Sequence, residues 1–515
     1  MQALTEQAKD LSVSRCVCLD MLVDADAGTN RGGPGGVSRE SQRVQTEMRA
    51  NRRNQPMSEK FDAIIIGTGQ SGPSLAARLT KEGMKTAIIE RKRFGGTCVN
   101  VGCIPTKTLV ASARAVQVAR RGAEFGVIID GPINVDMKRV KARKDAVVRQ
   151  SNEGVTKWLK NMDNLTVYES HARLESADSV SVNGALLQAE RIFLNVGARA
   201  AVPDIPGLDQ VDYLTNSSMM EVDFLPEHLV IVGGSYIGLE FAQMYRRFGS
   251  RVTIVEMSDR LIAREDEDVS SGIREILEAE GVEVRLEAEC ITVEKRGDGV
   301  SVGVSCETGA PEVIGSDVLM AVGRRPNTDD LGLDKAGVET DDRGFIVVDE
   351  QLRTKVSGIW AIGDCNGRGA FTHTSFNDYE IVAANLFDDD PRKVSERIIC
   401  YGLFIDPPLG RVGMTEQQAR QSGRDVLVGH MPMARVGRAR ERSETQGFMK
   451  ILIDAQTEKI LGAVVLGIGG DEVIHSILDV MYAGAPYTTI QRAVHIHPTV
   501  TELIPTMLGA LKPLE

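Results

Sequence analysis

The chain has 515 residues, a formal charge of −12 at neutral pH, 42% hydrophobic and only 4% aromatic residues. That length exceeds what one core organises and predicts roughly three or four domains, while the acidic balance argues against nucleic acid or an anionic membrane as the main partner. Eight cysteines at irregular spacing form no secreted disulfide framework, no apolar run approaches the ~18 residues of a membrane span, and Met1 to Asp20 carries Glu6, Lys9 and Asp10 where a signal peptide would be apolar. The expectation is a soluble cytoplasmic enzyme.

Residues 1–56 contain the tract Gly28-Thr29-Asn30-Arg31-Gly32-Gly33-Pro34-Gly35-Gly36, followed by mixed charges without apolar periodicity. They are expected to be a disordered or non-native extension, with the folded protein beginning near Met57. Cys16 and Cys18 read as incidental thiols in that tail. From Phe61 the pattern sharpens. Phe61-Asp62-Ala63-Ile64-Ile65-Ile66 has the apolar continuity of a buried parallel strand, Gly67-Thr68-Gly69-Gln70-Ser71-Gly72 opens a helix, and Thr86-Ala87-Ile88-Ile89-Glu90 is a second strand ending in a carboxylate. This is a dinucleotide-binding fingerprint. Gly67, Gly69 and Gly72 permit the tight turn and close backbone approach, the helix N-terminus faces a pyrophosphate, and Glu90 can accept from ribose hydroxyls.

Next comes Gly95-Gly96-Thr97-Cys98-Val99-Asn100-Val101-Gly102-Cys103-Ile104-Pro105-Thr106-Lys107. Two thiols with four residues between them are a candidate redox pair; the bare spacing also fits two buried free cysteines or half a zinc site. Five residues of regular helix rise about 7.5 Å, beyond the roughly 4.4–6.8 Å Cα separation a disulfide accepts, so a bonded pair requires a distorted turn. Gly102 supplies backbone freedom, and Pro105 suits a first helical turn. A helix starting here would aim its positive end at the sulfurs and favour thiolate.

Helices are expected over residues 108–122 and 136–161, and Asn183-Gly184 between short apolar runs signals a type I′ hairpin. Ile192-Phe193-Leu194-Asn195-Val196-Gly197-Ala198 closes this segment. A second fingerprint follows in Leu229-Val230-Ile231-Val232-Gly233-Gly234-Ser235-Tyr236-Ile237-Gly238, with Val252-Thr253-Ile254-Val255-Glu256 as its second strand. Ser235 replaces the middle glycine and is small enough for the backbone to approach. Two fingerprints imply two dinucleotides. Gly297-Asp298-Gly299 reads as another hairpin turn, and Met320-Ala321-Val322-Gly323-Arg324-Arg325-Pro326-Asn327 marks a return to the first domain.

The cysteine stretch, with these fingerprints in this order, resembles the active-site signature of the flavoprotein disulfide reductases, the class I pyridine nucleotide-disulfide oxidoreductases. The resemblance spans roughly residues 60–512. It implies an α/β fold with two Rossmann-like dinucleotide-binding domains, for FAD and NAD(P), plus a C-terminal α+β dimerisation domain. The implied limits are 57–198 and 322–390 for the two segments of the FAD domain, 199–321 for the NAD(P) domain and 391–515 for the dimerisation domain. It implies FAD at the first fingerprint, a nicotinamide at the second, and a Cys98–Cys103 disulfide in which Cys103 is the flavin-proximal thiolate and Cys98 attacks substrate. Gly96, Thr97, Gly197 and Gly323 fall among the implied cofactor-binding residues. Asp364, ending Gly358-Ile359-Trp360-Ala361-Ile362-Gly363-Asp364, is the implied ribityl ligand.

The same resemblance pairs Lys107, beside the flavin, with Glu240, and makes Tyr236 the gate over the nicotinamide pocket. His497 and Glu502, in His495-Ile496-His497-Pro498-Thr499-Val500-Thr501-Glu502, match the family's acid/base dyad, supplied by the partner subunit of a homodimer. Glu256 points to NADH over NADPH, since a carboxylate there accepts from the 2′-hydroxyl and repels a 2′-phosphate; Arg251 and Arg260, close in sequence, would soften that preference. The wording of the motifs is nearest the mercuric-reductase-like and dihydrolipoamide dehydrogenase-like branch. The chain ends Leu508-Gly509-Ala510-Leu511-Lys512-Pro513-Leu514-Glu515, without the vicinal cysteines that deliver Hg(II) in mercuric reductases, and the dyad suits disulfide exchange. The acceptor is therefore expected to be a disulfide or a metal ion, with dihydrolipoamide dehydrogenase as the alternative enzyme and a flavin-bearing redox or metal sensor as the alternative of another class. No metal ligand set is predicted.

Overall fold

The computed structural model describes residues 58–305 and 311–514; the reading of residues 1–56, with Cys16 and Cys18, lies outside them. The apolar run ending at Ile66 becomes β1 (Ser58–Ile66), whose last four residues are buried on both faces, with Ala63, Ile64 and Ile65 fully covered. Fully covered apolar residues belong in the middle of a parallel sheet. β1 pairs parallel with β2 (Thr86–Glu90) on one side and with β4 (Ala185–Leu194) on the other, and β3 (Leu165–Glu169) lies beyond β2. α1 (Ser71–Lys81) links β1 to β2 and buries Leu75, Ala76 and Leu79. Then come α2 (Gly96–Asn100), α3 (Cys103–Arg120) and α4 (Met137–Lys160). The Asp136 side chain caps α4 by accepting from the Arg139 amide at 3.1 Å. Asn183 and Gly184 have φ of +49° and +78° and join Ser179–Val182 to β4 as the predicted hairpin.

The second fingerprint builds the same sheet again. β5 (Tyr213–Leu214), β6 (His228–Val232), β7 (Arg251–Val255), β8 (Glu283–Arg285) and β9 (Asp317–Met320) lie parallel in the order β8-β7-β6-β9-β5. α5 (Tyr236–Phe248) follows β6, and α6 (Glu267–Ala279) follows β7. In the first sheet β10 (Ile359–Ala361) pairs parallel with the C-terminal half of β4, so its order β3-β2-β1-β4-β10 matches the second sheet strand for strand. Each fingerprint therefore occupies the same place in one of two like units: the turn after the middle strand, β1 or β6, at the carboxyl edge where the strand order reverses and ligands of open α/β sheets sit.

The chain crosses between the units at Ala198–Ala200 and Arg324–Pro326, and these crossings pair as an antiparallel ribbon. One buried cluster joins Phe61 through Leu194 with Leu331 through Val382, so two stretches far apart in sequence share a core. α7 (Thr372–Phe387) completes that unit. The last part is an antiparallel sheet ordered Cys400–Leu403, Leu409–Gly413, Ile460–Leu466, Phe448–Asp454, Val426–Pro432, Lys512–Pro513. Buried charges tie it to the second unit: Arg411, 1% exposed, donates from Nε to Glu265 at 3.1 Å and from Nη2 to Asp266 at 3.0 Å, while Lys450 Nζ meets both oxygens of Asp268 at 2.8 Å. Each of these buried cations has a carboxylate partner, as burial of charge demands.

Candidate active site

The two cysteines sit on either side of a break between helices. Cys98 is the third residue of the five-residue α2, and Cys103 is the first residue of the 18-residue α3. Val101 and Gly102 form the break. A side chain at Gly102 would place Cβ 2.9 Å from the Thr97 carbonyl oxygen, so the chain folds back on itself only with glycine there. Pro105 falls in the first turn of α3, where its missing amide is not needed, and the first regular helical bond runs from the Thr106 amide to the Gly102 carbonyl at 3.0 Å. The helix thus begins at Cys103, with Pro105 in its first turn as expected, and runs on through the segment after residue 108 to Arg120.

Both cysteines are free thiols here, and their surroundings make them unequal. The Cys103 sulfur accepts from Cys98, lies 3.0 Å from the Thr372 hydroxyl oxygen and feels the Lys107 charge; these hold its ionisation down at about 6 against the opposing effects of burial and of Glu240. The Cys98 thiol, which shares its proton with Cys103 and is partly buried, is pushed up. These surroundings favour the negative charge on Cys103 over Cys98.

Lys107, one helical turn beyond Cys103, places Nζ 2.9 and 2.8 Å from the two oxygens of Glu240 on α5. Phe404 touches both partners: its amide donates to Glu240 Oε1 at 3.1 Å, and its ring centroid lies 4.4 Å from Lys107 Nζ. Glu240, Gln243 and Arg247 lie along one side of α5 and grip the chain at Phe404 and Asp406; the Asp406 amide donates to Gln243 at 2.7 Å, and Arg247 Nη1 donates to Asp406 Oδ2 at 2.7 Å. The first unit, the second unit and the C-terminal sheet meet at this point.

The two fingerprint turns are built alike. A Cβ at Gly67 would meet the Asn195 carbonyl oxygen at 2.2 Å and one at Gly72 the Gly67 carbonyl oxygen at 2.4 Å; at Gly233 and Gly238 the equivalent clashes are with the Ala321 carbonyl oxygen at 2.5 Å and the Gly233 carbonyl oxygen at 2.1 Å. Ser235 is accepted because its φ is −110°, which any residue adopts. Glu90 accepts from the Thr68 amide at 3.1 Å, the Thr68 hydroxyl at 2.7 Å and the Lys92 amide at 2.8 Å; Glu256 accepts from the Gly234 amide at 2.6 Å and the Ser258 amide at 2.8 Å. Both carboxylates are held at strand ends with lone pairs to spare, so the donor set and the cramped glycine cradles fit two dinucleotides. Gly69 approaches the Asn195 side chain, and Gly96, at φ +60°, would place a Cβ 2.9 Å from the Gly69 Cα, which packs the cysteine stretch onto the first cradle. Gly197 and Gly323 take positive φ at the two crossings.

Asp364 follows β10, 3.5 Å from Arg324 Nη2; burial raises its ionisation and Arg324 opposes that rise. Tyr236 heads α5, edge-on to Phe371 at 5.9 Å and to Tyr401 at 5.6 Å, and burial pushes its hydroxyl up to about 12. Arg251 is a correction. It opens β7 and pairs with Glu283 at 3.3 Å, which puts it about 13 Å along the strand from the end that carries Glu256, too far to act on a ribose there. Met257 is 69% exposed beside Glu256. His497 Nδ1 lies 2.8 Å from Glu502 Oε2, with the imidazole at the surface just after the exposed Val494 and Ile496 in the chain. Among the described residues, no hydrogen bond or ion pair joins His497 to Cys98 or Cys103 of the same chain. Sequence reading missed Thr372, Phe404 and Tyr401; none belongs to a local motif, and each meets its partners only through the fold.

A sulfur pair lodged between two dinucleotide-binding units defines a pyridine nucleotide-dependent disulfide oxidoreductase. The chain belongs to that family: the pyridine nucleotide-disulphide oxidoreductase model matches residues 61–378, and the family's dimerisation-domain model matches residues 399–508. Family membership brings FAD and a pyridine nucleotide.

The chain is 37% identical over 461 residues to the probable pyridine nucleotide-disulfide oxidoreductase RclA of Escherichia coli (strain K12), covering 88% of this chain and 100% of that one. It is 33% identical to a mercuric reductase of Bacillus cereus (87% of this chain, 72% of that one) and 33% identical to a dihydrolipoyl dehydrogenase of Haloferax volcanii (86% and 94%). Among solved structures, the Cu(II) complex of the HOCl-induced flavoprotein disulfide reductase RclA from Escherichia coli superposes with a TM-score of 0.80 at 35% identity, covering 88% of this chain and 99% of that one. Among the described residues, no helix is long and apolar enough to cross a membrane, and no cluster of His, Cys, Asp and Glu forms a metal site.

Proposed function

We propose that this protein is a cytoplasmic homodimer that oxidises NADH and delivers the electrons, through a Cys98–Cys103 disulfide, to a small-molecule disulfide or a metal ion. The observation that carries the reading is the close pair of thiols at the junction of the two fingerprint units, with the Thr372 hydroxyl 3.0 Å from the Cys103 sulfur and the Lys107–Glu240 pair one helical turn beyond it. Bound FAD would supply the two-electron relay between the nicotinamide and the sulfurs. The first unit would hold it with Gly67, Gly69, Gly72, Glu90, Gly96, Thr97, Gly197, Gly323, Lys107 and Asp364. The second would hold the nicotinamide with Gly233, Ser235, Gly238 and Glu256, under Tyr236. The domain limits proposed for this division are 57–198 with 322–390, then 199–321 and 391–515. Glu256, fixed by two amides, favours the unphosphorylated ribose of NADH.

Two electrons and a proton open the disulfide, leaving the thiol on Cys98 and the thiolate on Cys103. Removal of the Cys98 proton makes it the attacking sulfur. His497, supplied across the dimer, suits that role: Glu502 holds Nδ1 and leaves Nε2 free to accept the proton. Cys98 attacks one sulfur of the acceptor disulfide and the other leaves with the proton from His497. Cys103 then attacks the Cys98 sulfur, the second acceptor sulfur departs as a thiolate that takes its proton from solvent, and the internal bond reforms. The exposed Val494 and Ile496 beside His497 support a subunit contact there.

The His497–Glu502 bond favours a disulfide acceptor, and the Cu(II) complex of the related RclA supports a metal-ion acceptor. A panel of lipoamide, glutathione disulfide, Cu(II) and Hg(II), with NADH and then NADPH as donor, decides between them. Multiple-turnover NADH oxidation with at least one acceptor is expected. Oxidation that stops at stoichiometry with every acceptor would favour a sensor over an enzyme.

A further inference from the structure

The loop from β7 to α6, residues 256–266, is pinned on both sides of Arg264. Before it, the Ile262 amide donates at 3.0 Å to the carbonyl of Gly234 in the second fingerprint turn, and Ile262 takes a φ of +45°. A β-branched residue in that conformation is strained, and such strain persists only where the surroundings impose it, as at ligand clamps; Ile262 is 3% exposed. After it, Glu265 accepts from the Tyr401 hydroxyl at 2.6 Å and from Arg411 Nε at 3.1 Å, and Asp266 accepts from the Glu416 amide at 2.9 Å. Arg264 is therefore carried on a clamped stretch of backbone.

Its side chain is exposed, and among the described residues no hydrogen bond or ion pair holds the guanidinium. It lies over the Tyr236 ring, 5.1 Å from the centroid. Acidic residues outnumber basic ones by 72 to 60 in this chain, so a fixed arginine facing an aromatic ring and no carboxylate stands apart. Tyr236 is the first residue of the 13-residue α5, whose leading amides and aligned peptide dipoles attract phosphate. Its ring is edge-on to Phe371, the neighbour of Thr372 at the Cys103 sulfur, and so stands between the second cradle and the redox pair. An exposed cation–π contact is weak; a guanidinium on phosphate is charge-assisted and two-pronged. A phosphate arriving at the start of α5 would draw the guanidinium off the ring.

We propose that Arg264 is a binding residue for the pyridine nucleotide, with two alternative partners, the Tyr236 ring and the nucleotide's pyrophosphate, so that gripping the second releases the first. This rests on the reading of the second unit as the nicotinamide nucleotide site and adds the side chain that couples phosphate binding to the freedom of the ring.

The test is isothermal titration calorimetry of full-length oxidised holoenzyme with NAD+ and with ADP-ribose, which keeps the pyrophosphate and lacks the nicotinamide. Arg264→Gln should weaken both ligands by about tenfold, the weight of one charge-assisted contact, and the loss should shrink as salt is raised. Arg264→Lys keeps the charge without the fork and should fall between glutamine and wild type. An unchanged flavin content and spectrum in each variant shows that the fold is kept. Arg264→Gln enzyme that binds ADP-ribose as wild type does overturns the inference, even where NAD+ binds more weakly, because the guanidinium would then act only through the ring. Wild-type enzyme that binds neither ligand overturns the nucleotide assignment of the second unit and the inference with it; wild type that binds both, with Arg264→Gln unchanged, overturns the inference alone.

Discussion

The Lys107–Glu240 pair yields a prediction with opposite signs for its two members. Lys107 lies four residues beyond Cys103 on the same face of α3 and its charge acts on that sulfur; a unit charge taken at ~6 Å with an effective dielectric of ~20 is worth about 3 kcal/mol, or about two pH units. Lys107 is 34% exposed and paired with Glu240 at 2.8 Å, which discounts its effect to about one pH unit. Lys107→Met should therefore raise the Cys103 midpoint from about 6 to roughly 7, because the cation leaves while the Glu240 carboxylate stays. Glu240→Gln should lower it, because the opposing carboxylate leaves while the cation stays.

The sign follows from the acid: the thiolate is present above its midpoint and lost as pH falls through it. At neutral pH the thiolate share should drop from about nine-tenths to about half in Lys107→Met and rise slightly in Glu240→Gln. The assay is a pH titration of the long-wavelength absorption of anaerobically reduced holoenzyme, with flavin content measured first. Both variants moving the midpoint the same way, or Lys107→Met lowering it, would refute the electrostatic account of the site.

Three further outcomes follow from the geometry. Cys98→Ser and Cys103→Ser should each abolish acceptor turnover while flavin stays bound, as read by absorbance and steady-state rate; retained turnover in Cys103→Ser would count against the scheme. Gly238→Ala puts a Cβ against the Gly233 carbonyl oxygen at 2.1 Å and should raise the KM for NADH by at least about tenfold with the flavin spectrum unchanged, whereas Ser235→Gly should be tolerated. Glu256→Ala removes the acceptor for the Gly234 and Ser258 amides and should narrow an NADH-over-NADPH preference by about tenfold in kcat/KM; wild-type enzyme that prefers NADPH would contradict the role given to Glu256.

The parts of this molecule readable from sequence are those whose chemistry is local. Each fingerprint declares itself in a few consecutive residues, because the clash that excludes a side chain at Gly72 or Gly238 comes from a carbonyl five residues earlier. The Asn183-Gly184 turn and the break at Gly102 are legible for the same reason. Pairings made by the fold are not. Lys107 and Glu240 are 133 positions apart, and only the family resemblance joined them. Thr372 approaches Cys103 across 269 positions, with no spacing to betray it. Arg251 shows the converse error: five positions from Glu256 it looks adjacent, yet β7 is extended and carries the two to opposite ends.

The central claim is an electron route from a nicotinamide to sulfur, and anaerobic titration of the holoenzyme with NADH tests it most directly. The account predicts uptake of a further reducing equivalent beyond that which bleaches the flavin, with new thiols appearing on Cys98 and Cys103 in peptide-resolved labelling. Uptake that ends with the flavin, and no gain of thiols at those two residues, would contradict it.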